Sequence, residues 1–328
     1  SPMTLLEHDV ALAAVRKAAL LCRNVQAALK SEVLEKKDHS PVTLADFGSQ
    51  ALVCRYLAEA FPEDPVMAEE DSAVLRDPAQ ATLLARVVEE VQRLVPTATA
   101  AEVCAWIDRG NVKSYRPRFW TLDPIDGTKG FLRGDQYAIA LALILEGEVH
   151  VAALACPNLP LKAAPGAPRG VVFTAVRGEG AWAWPLWEEG EPVRMHTSAV
   201  TDPTQARFCE SFESAHSAHD AAAEVARRLG IGVPPLRLDS QAKYALVAQG
   251  EADLYLRLPT RPAYVEHIWD HAAGALLVTE AGGRVTDITG APLRFNCGPR
   301  LTANRGVVVS NGHLHAAVLE ALAVVGVA

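Results

Sequence analysis

Apolar positions recur at helical spacing through residues 4–30, where Leu5, Leu12, Val15, Ala19, Cys22 and Val25 fall near one face. That spacing predicts a long amphipathic helix. Residues 31–42 break the pattern and hold a Ser-Pro turn. Thr43 then reads as the N-cap of a second helix over 44–60, ended before Pro62. Val66, Met67 and Ala68 make a short strand that runs into Glu69, Glu70 and Asp71. Residues 76–100 read as a surface helix or helical hairpin with a polar tail. Phe119, Trp120, Thr121 and Leu122 are aromatic, β-branched and aliphatic, which predicts a buried strand ending at Asp123.

Two apolar runs over 136–156 flank Glu146-Gly147-Glu148 and predict an antiparallel hairpin. Residues 158–169 read as a Pro/Ala loop, and 171–184 as a second hairpin turning at 177–180. The Pro-, Glu- and Thr-rich stretch 185–205 is the expected lobe boundary, giving an N-terminal lobe over 1–190 and a C-terminal lobe over 191–328. The second half alternates helix and strand: helices over 219–229, 240–249, 270–281 and 314–324, and strands near 236–239, 253–258, 284–288 and 306–310. Gly282 and Gly283 supply the natural stop for the helix over 270–281.

Composition narrows the function classes. The 328 residues are 50% hydrophobic and 21% charged, which is ordinary for a globular chain. Net charge is −8 and no Lys/Arg-rich run occurs, which argues against a nucleic-acid polymer as partner. No run of about 18 apolar residues is present, so no membrane-spanning helix is expected. Cys22, Cys54, Cys104, Cys156, Cys209 and Cys297 are scattered without a C-x-x-C pair, and buried free thiols suit a reducing compartment. The cytoplasm is the expected location; a chloroplast or mitochondrion with its transit peptide removed is the alternative. The opening Ser1-Pro2-Met3 reads as an expression scar before a native or trimmed start.

The chemistry concentrates in Asp123-Pro124-Ile125-Asp126-Gly127-Thr128-Lys129-Gly130-Phe131. Two carboxylates on a proline-stiffened turn suit Mg²⁺, which takes a few carboxylates together with waters and substrate phosphate oxygens. Gly127 allows a sharp bend, and free amides from there onward could meet a phosphate if a helix begins. Three more pieces carry acids at element ends: Asp46 in Ser40-Pro41-Val42-Thr43-Leu44-Ala45-Asp46, Glu69 and Glu70 in Ala68-Glu69-Glu70-Asp71-Ser72, and Asp270 in Ile268-Trp269-Asp270-His271-Ala272-Ala273-Gly274. Each alone has a plainer reading. Asp46 fits a first-turn charge favoured by the helix dipole, the glutamates a solvated loop, and Asp270 an N-cap. His216 and His219 are too poor in neighbouring ligands for zinc. Trp182, Trp184 and Trp187 read as packing residues, and His271 as a packed or capping histidine.

Together the strings D-P-x-D-G-T (Asp123 to Thr128) and W-D-x-A-A-G (Trp269 to Gly274) resemble the lithium-sensitive, Mg²⁺-dependent phosphatases of the inositol monophosphatase superfamily, from the first helix to about Asn311. The string Leu238-Asp239-Ser240-Gln241-Ala242-Lys243-Tyr244, the run from Ala252 to Pro259, and His216-Ser217-Ala218-His219-Asp220 resemble the 3′(2′),5′-bisphosphate nucleotidase branch.

The resemblance implies an α/β (α+β) layered α-β-α-β-α sandwich of the inositol monophosphatase and fructose-1,6-bisphosphatase type. It implies a site holding two or three Mg²⁺. Glu69, Asp123, Asp126, Asp270 and the carbonyl of Ile125 would be ligands, with Glu70 acting through water. Asp46 would hold the Thr128 hydroxyl as the catalytic pair. Gly127, Thr128, His216, Ser240, Lys243, Arg257 and Asp270 would contact substrate. The implied reaction removes the 3′-phosphate of adenosine 3′,5′-bisphosphate, or of 3′-phosphoadenylyl sulfate. An inositol polyphosphate 1-phosphatase, an inositol monophosphatase and a non-catalytic nucleotide sensor are the alternatives. The expected partner is a small phosphorylated nucleotide, with the protein a monomer or weak homodimer.

Overall fold

The computed structural model describes residues 2–30, 40–161, 166–212, 218–260 and 264–327. The chain opens with α1 (Pro2–Lys30) and α2 (Ser40–Ala60), followed by β1 (Val66–Ala68). Three short helices follow: α3 (Ala73–Arg76), α4 (Ala81–Gln92) and α5 (Ala100–Asp108). Then come β2 (Arg118–Asp126), α6 (Thr128–Arg133), β3 (Ala138–Leu145), β4 (Glu148–Pro160), β5 (Arg169–Val176), β6 (Ala181–Pro185) and β7 (Val193–Arg194). The second half runs β8 (Phe208–Glu210), α7 (His219–Arg228), β9 (Leu236–Arg237), α8 (Ala242–Ala248), β10 (Leu254–Arg257), α9 (Ala272–Glu280), β11 (Arg284–Thr286), β12 (Val307–Ser310) and α10 (His315–Val325).

Among the described residues, one sheet of seven strands has the order β1-β2-β3-β4-β5-β6-β7, and a second of five has β11-β12-β10-β8-β9. In the first, β1 lies parallel to β2 and the remaining neighbours are antiparallel. Strand period two sorts the core into layers. Trp120, Leu122, Leu141 and Leu143 pack with α1 and α2. Phe119, Ala140, Ala142 and Ile144 point the other way, into α8 and α9. Those helices meet Tyr255, Val307 and Val309 of the second sheet, whose opposite face (Leu254, Leu256, Val308) packs on α7 and α10. The result is the expected α-β-α-β-α sandwich. Every residue of α8 is buried, Lys243 included, so the helix shows no polar stripe. A Cβ at Gly274 would lie 2.2 Å from the Tyr244 ring, so glycine lets α9 approach α8.

Several expectations change. The second helix begins at Ser40, so Thr43 lies inside it and is not its N-cap. Pro41 falls in the first turn, where its missing N–H breaks no bond. The region 76–100 divides into α4 and the start of α5, the latter opened by a capping box between Thr99 and Glu102. Asp123 does not end its strand: β2 continues to Asp126 through a register shift between the two aspartates. The bulge falls at Pro124, which has no N–H to give the ladder. Strands β7 and β8 are too short to carry a periodic signal. No helix among the described residues is long and apolar enough to cross a membrane. All six cysteines are unpaired.

Candidate metal centre

The parallel pairing of β1 and β2 sets Ala68 beside Leu122, which brings Glu69 level with Asp123 as both strands reach the same sheet edge. The bulge then turns Asp126 toward the second half of the chain, where its Oδ2 accepts from the Gln241 backbone N–H at 2.6 Å. Asp270 arrives from the far side. It closes a short 3-10 turn over Ile268–Asp270, and His271, not Asp270, caps α9. Asp123, Asp126 and Asp270 each present a carboxylate oxygen within 4.8 Å of the others. Although Glu69 is solvent-exposed as a residue, its carboxyl leans into this group and meets that of Asp123.

Like charges so close disfavour full ionisation. Burial, then Glu69, Asp126 and Asp270, hold the Asp123 carboxyl well above the usual carboxylate range. Burial and Asp126 push Asp270 up to about 7. Withdrawal from water, with Glu70 and Asp126 beside it, pushes Glu69 up to about 7. Asp123 is 2% exposed, and its Oδ1 has no hydrogen-bond partner. A buried orphan acceptor inside a cluster of hard oxygen donors fits a divalent cation, which would neutralise the repulsion and complete the bonding.

The acids line a cleft of about 250 Å³. Ile125, Gly127, Thr128, Ser240, Lys243 and Arg257 also line it, together with Lys129, Asp239, Gln241, Tyr255 and Tyr264, which motif reading did not single out as site residues. Gly127 has φ +85°, and the six-residue α6 starts at Thr128, whose side chain opens to solvent. Asp46, on α2, stands behind this wall rather than in it. Burial, then Glu70 and Glu69, raise its carboxyl well above the usual range. Its Oδ1 is buried without a partner, and no hydrogen bond joins it to Thr128. His216 lies outside the described residues.

The helix expected over 240–249 begins at Ala242, so Ser240 lies outside it. It precedes α8 with φ +77°, and its Oγ accepts from the Ala242 N–H at 3.1 Å. Lys243 is buried, donates to the Leu238 carbonyl at 3.1 Å and lies over the Tyr255 ring. Burial and the nearby Arg257 pull its ammonium down to about 8. His271 is fully buried and bonded to the Tyr244 hydroxyl, as a packed histidine. The tryptophans pack away from the cleft: Trp184 donates to Thr174 and Trp187 to the Arg169 carbonyl.

Two buried residues of α2 tie the acidic loops together. Ser49 Oγ donates to the Pro124 carbonyl at 2.8 Å. Gln50 takes the Glu70 N–H at 3.1 Å and donates to the Glu70 and Ile107 carbonyls at 2.7 and 2.8 Å. Their only sequence signal is an adjacent polar pair within a largely apolar helix. Gln50→Leu is expected to destabilise the fold by about 2–4 kcal/mol, because it strands two polar groups of Glu70. Urea unfolding measures this; a loss under about 0.5 kcal/mol would reject the clamp.

Residues 2–325 match the family model described as the inositol monophosphatase family. The 3′(2′),5′-bisphosphate nucleotidase of Schizosaccharomyces pombe is 45% identical over 338 residues, covering 97% of this chain and 95% of that protein. The 3′(2′),5′-bisphosphate nucleotidase 1 of Arabidopsis thaliana is 44% identical, covering 96% and 95%. Among solved structures, Mycobacterium tuberculosis SuhB aligns with TM-score 0.64 at 22% identity over 98% of both chains. The inositol monophosphatase of Anabaena sp. aligns with TM-score 0.63 at 19% identity over 100% of this chain and 98% of the other. These two likenesses concern the fold.

Proposed function

This chain belongs to the inositol monophosphatase family, and on that premise we propose that it is a Mg²⁺-dependent 3′(2′),5′-bisphosphate nucleotidase. It removes the 3′-phosphate of adenosine 3′,5′-bisphosphate, giving AMP and phosphate. The carrying observation is one cleft in which a carboxylate cluster faces Lys243 and Arg257, in a chain 45% identical to a nucleotidase along nearly its whole length. The acids suit cations and the cations suit anions, so a substrate with two phosphates meets both sets.

Glu69, Asp123, Asp126, Asp270 and the Ile125 carbonyl would hold two or three Mg²⁺, with Glu70 supporting through water. When bound, the ions supply Lewis acidity to the phosphoryl oxygens and lower the pKa of water. The chain's own residues then position and move protons. The Thr128 hydroxyl, at the start of α6, orients the attacking water, and Asp46 accepts the hydroxyl proton through its unpartnered oxygen. The Gly127 backbone and Asp270 flank the reacting phosphoryl group. Ser240, Lys243 and Arg257 receive the phosphate that is not cleaved, and His216 meets the nucleoside. Phosphoryl transfer passes through a loose transition state, so this positioning and charge neutralisation carry the catalysis.

A substrate panel tests the reading. Adenosine 3′,5′-bisphosphate should be hydrolysed with kcat/KM at least about tenfold above inositol 1,4-bisphosphate and inositol 1-phosphate, only with Mg²⁺, and millimolar lithium should inhibit. Faster release from either inositol phosphate would overturn the substrate assignment. Tight nucleotide binding with no turnover would point to a sensor.

A further inference from the structure

We propose that Glu266 is a positioning residue: it holds the Arg257 guanidinium toward the uncleaved 5′-phosphate of the substrate and away from the carboxylate cluster. The inference rests on Arg257 being a substrate contact. Arg257 ends β10 and reaches into the cleft. Its Nε donates to Glu266 Oε1 at 2.8 Å, and its Nη2 lies 3.4 Å from Oε2. The two side chains are 15% and 6% exposed. A two-point grip on a planar fork fixes its direction as well as its charge.

Glu266 is itself held from other sides. Its carbonyl accepts from the Leu301 N–H at 2.8 Å. Its Oε2 lies 3.3 Å from His271 Nε2, and the far side of that ring is pinned by the Tyr244 hydroxyl at 2.6 Å. Burial by itself would raise the Glu266 carboxyl, but Arg257 and His271 outweigh it and pull the group down to about 2. The carboxylate therefore stays charged wherever the enzyme works.

The competing partner for Arg257 is close. Asp270 also lines the cleft and feels the Arg257 charge. An arginine freed from Glu266 would turn from the uncleaved phosphate toward the negative side of the cleft and lose its aim at substrate. Glu266 thus keeps the cationic and anionic halves of one small cleft apart.

The experiment compares adenosine 3′,5′-bisphosphate with 3′-AMP, which lacks the second phosphate, for wild type, Glu266→Gln, Arg257→Gln and the double variant. Loss of a charge-assisted hydrogen bond predicts that Glu266→Gln raises KM for the bisphosphate by about tenfold to a hundredfold. The change in kcat should be under about threefold, and KM for 3′-AMP should move far less. The double variant should match Arg257→Gln, because a residue acting only through Arg257 has nothing further to lose. Since Glu266→Gln leaves a buried arginine without its counter-charge, the double variant, which removes both charges, carries the test even if the single one folds poorly. Equal rises in KM for both substrates, or effects that multiply in the double variant, would overturn the proposal. If Arg257→Gln itself leaves the preference for the bisphosphate intact, the substrate-contact reading falls. If Arg257→Gln abolishes that preference while Glu266→Gln keeps it, only the role of Glu266 falls.

Discussion

Asp123→Asn is expected to lower Mg²⁺-dependent phosphate release by about 10³-fold or more. The same change should raise the melting temperature of the metal-stripped protein. Both effects follow from one geometry. Asp123 is the most enclosed acid of the cluster, with an orphan oxygen and Asp126 and Asp270 within 4.8 Å. With a cation present that oxygen is a ligand, so an amide there weakens the site. Without a cation it is a buried like charge, so an amide relieves strain. The sign in pH follows. Glu69 and Asp270 are raised to about 7 in the folded chain, from ordinary carboxyl values. Their contribution favours the folded state at low pH and is lost as pH rises through about 7. In EDTA, wild type should therefore melt lower at pH 8 than at pH 6, and Asp123→Asn should flatten that difference. Mg²⁺ should raise the melting temperature of wild type and leave the variant nearly unmoved. Normal turnover by Asp123→Asn, or a wild-type melt indifferent to Mg²⁺, would remove the metal centre from the account.

Thr128→Ala and Asp46→Asn should each reduce kcat by about 10²–10⁴-fold, with KM and AMP binding within a few-fold of wild type. Thr128 carries a hydroxyl at the cleft wall, on a helix launched by a left-handed glycine. Asp46 stands behind it on a rigid buried helix with an acceptor that no protein donor claims. A relay needs both groups, so the double variant should be little worse than either single one. Thr128→Ser keeps the hydroxyl and should retain most of the rate. Near-normal turnover in either single variant would reject the relay.

Much of this was legible in the chain. The hairpin of β3 and β4 joins two nearly continuous apolar runs about a Glu-Gly-Glu turn, and α1 repeats its apolar face along a helix of 29 residues. Such long segments announce their own burial. Asp123 and Asp126 were legible because Pro124 and Gly127 dictate the backbone around them, and Asp46, Glu69 and Asp270 because each sits at or beside an element end in a short recognisable string. Less was legible wherever a feature depends on a distant neighbour. Ser240 adopts a left-handed conformation that nothing in Asp239-Ser240-Gln241 requires. The start of α2 was misread because a Ser-Pro pair serves equally as a turn or as a helix's first turn. Gln50 and Glu266 escaped notice because their bonds reach 20 and 57 residues away in one case and to the end of a strand in the other.

The sequence by itself determined which chemistry is available: hard carboxylates, a hydroxyl, a few cations, and the order in which local strings deliver them. Backbone stereochemistry and hydrophobic period act over a few residues, so a linear reading reaches that far. Only the tertiary structure decided that Asp270 comes within 4.8 Å of Asp123 and Asp126, that Asp46 stands behind the wall, and that Glu266 takes hold of Arg257. Those distances are set by how two sheets pack across α8 and α9, and electrostatic interaction depends on distance in space, not on separation along the chain.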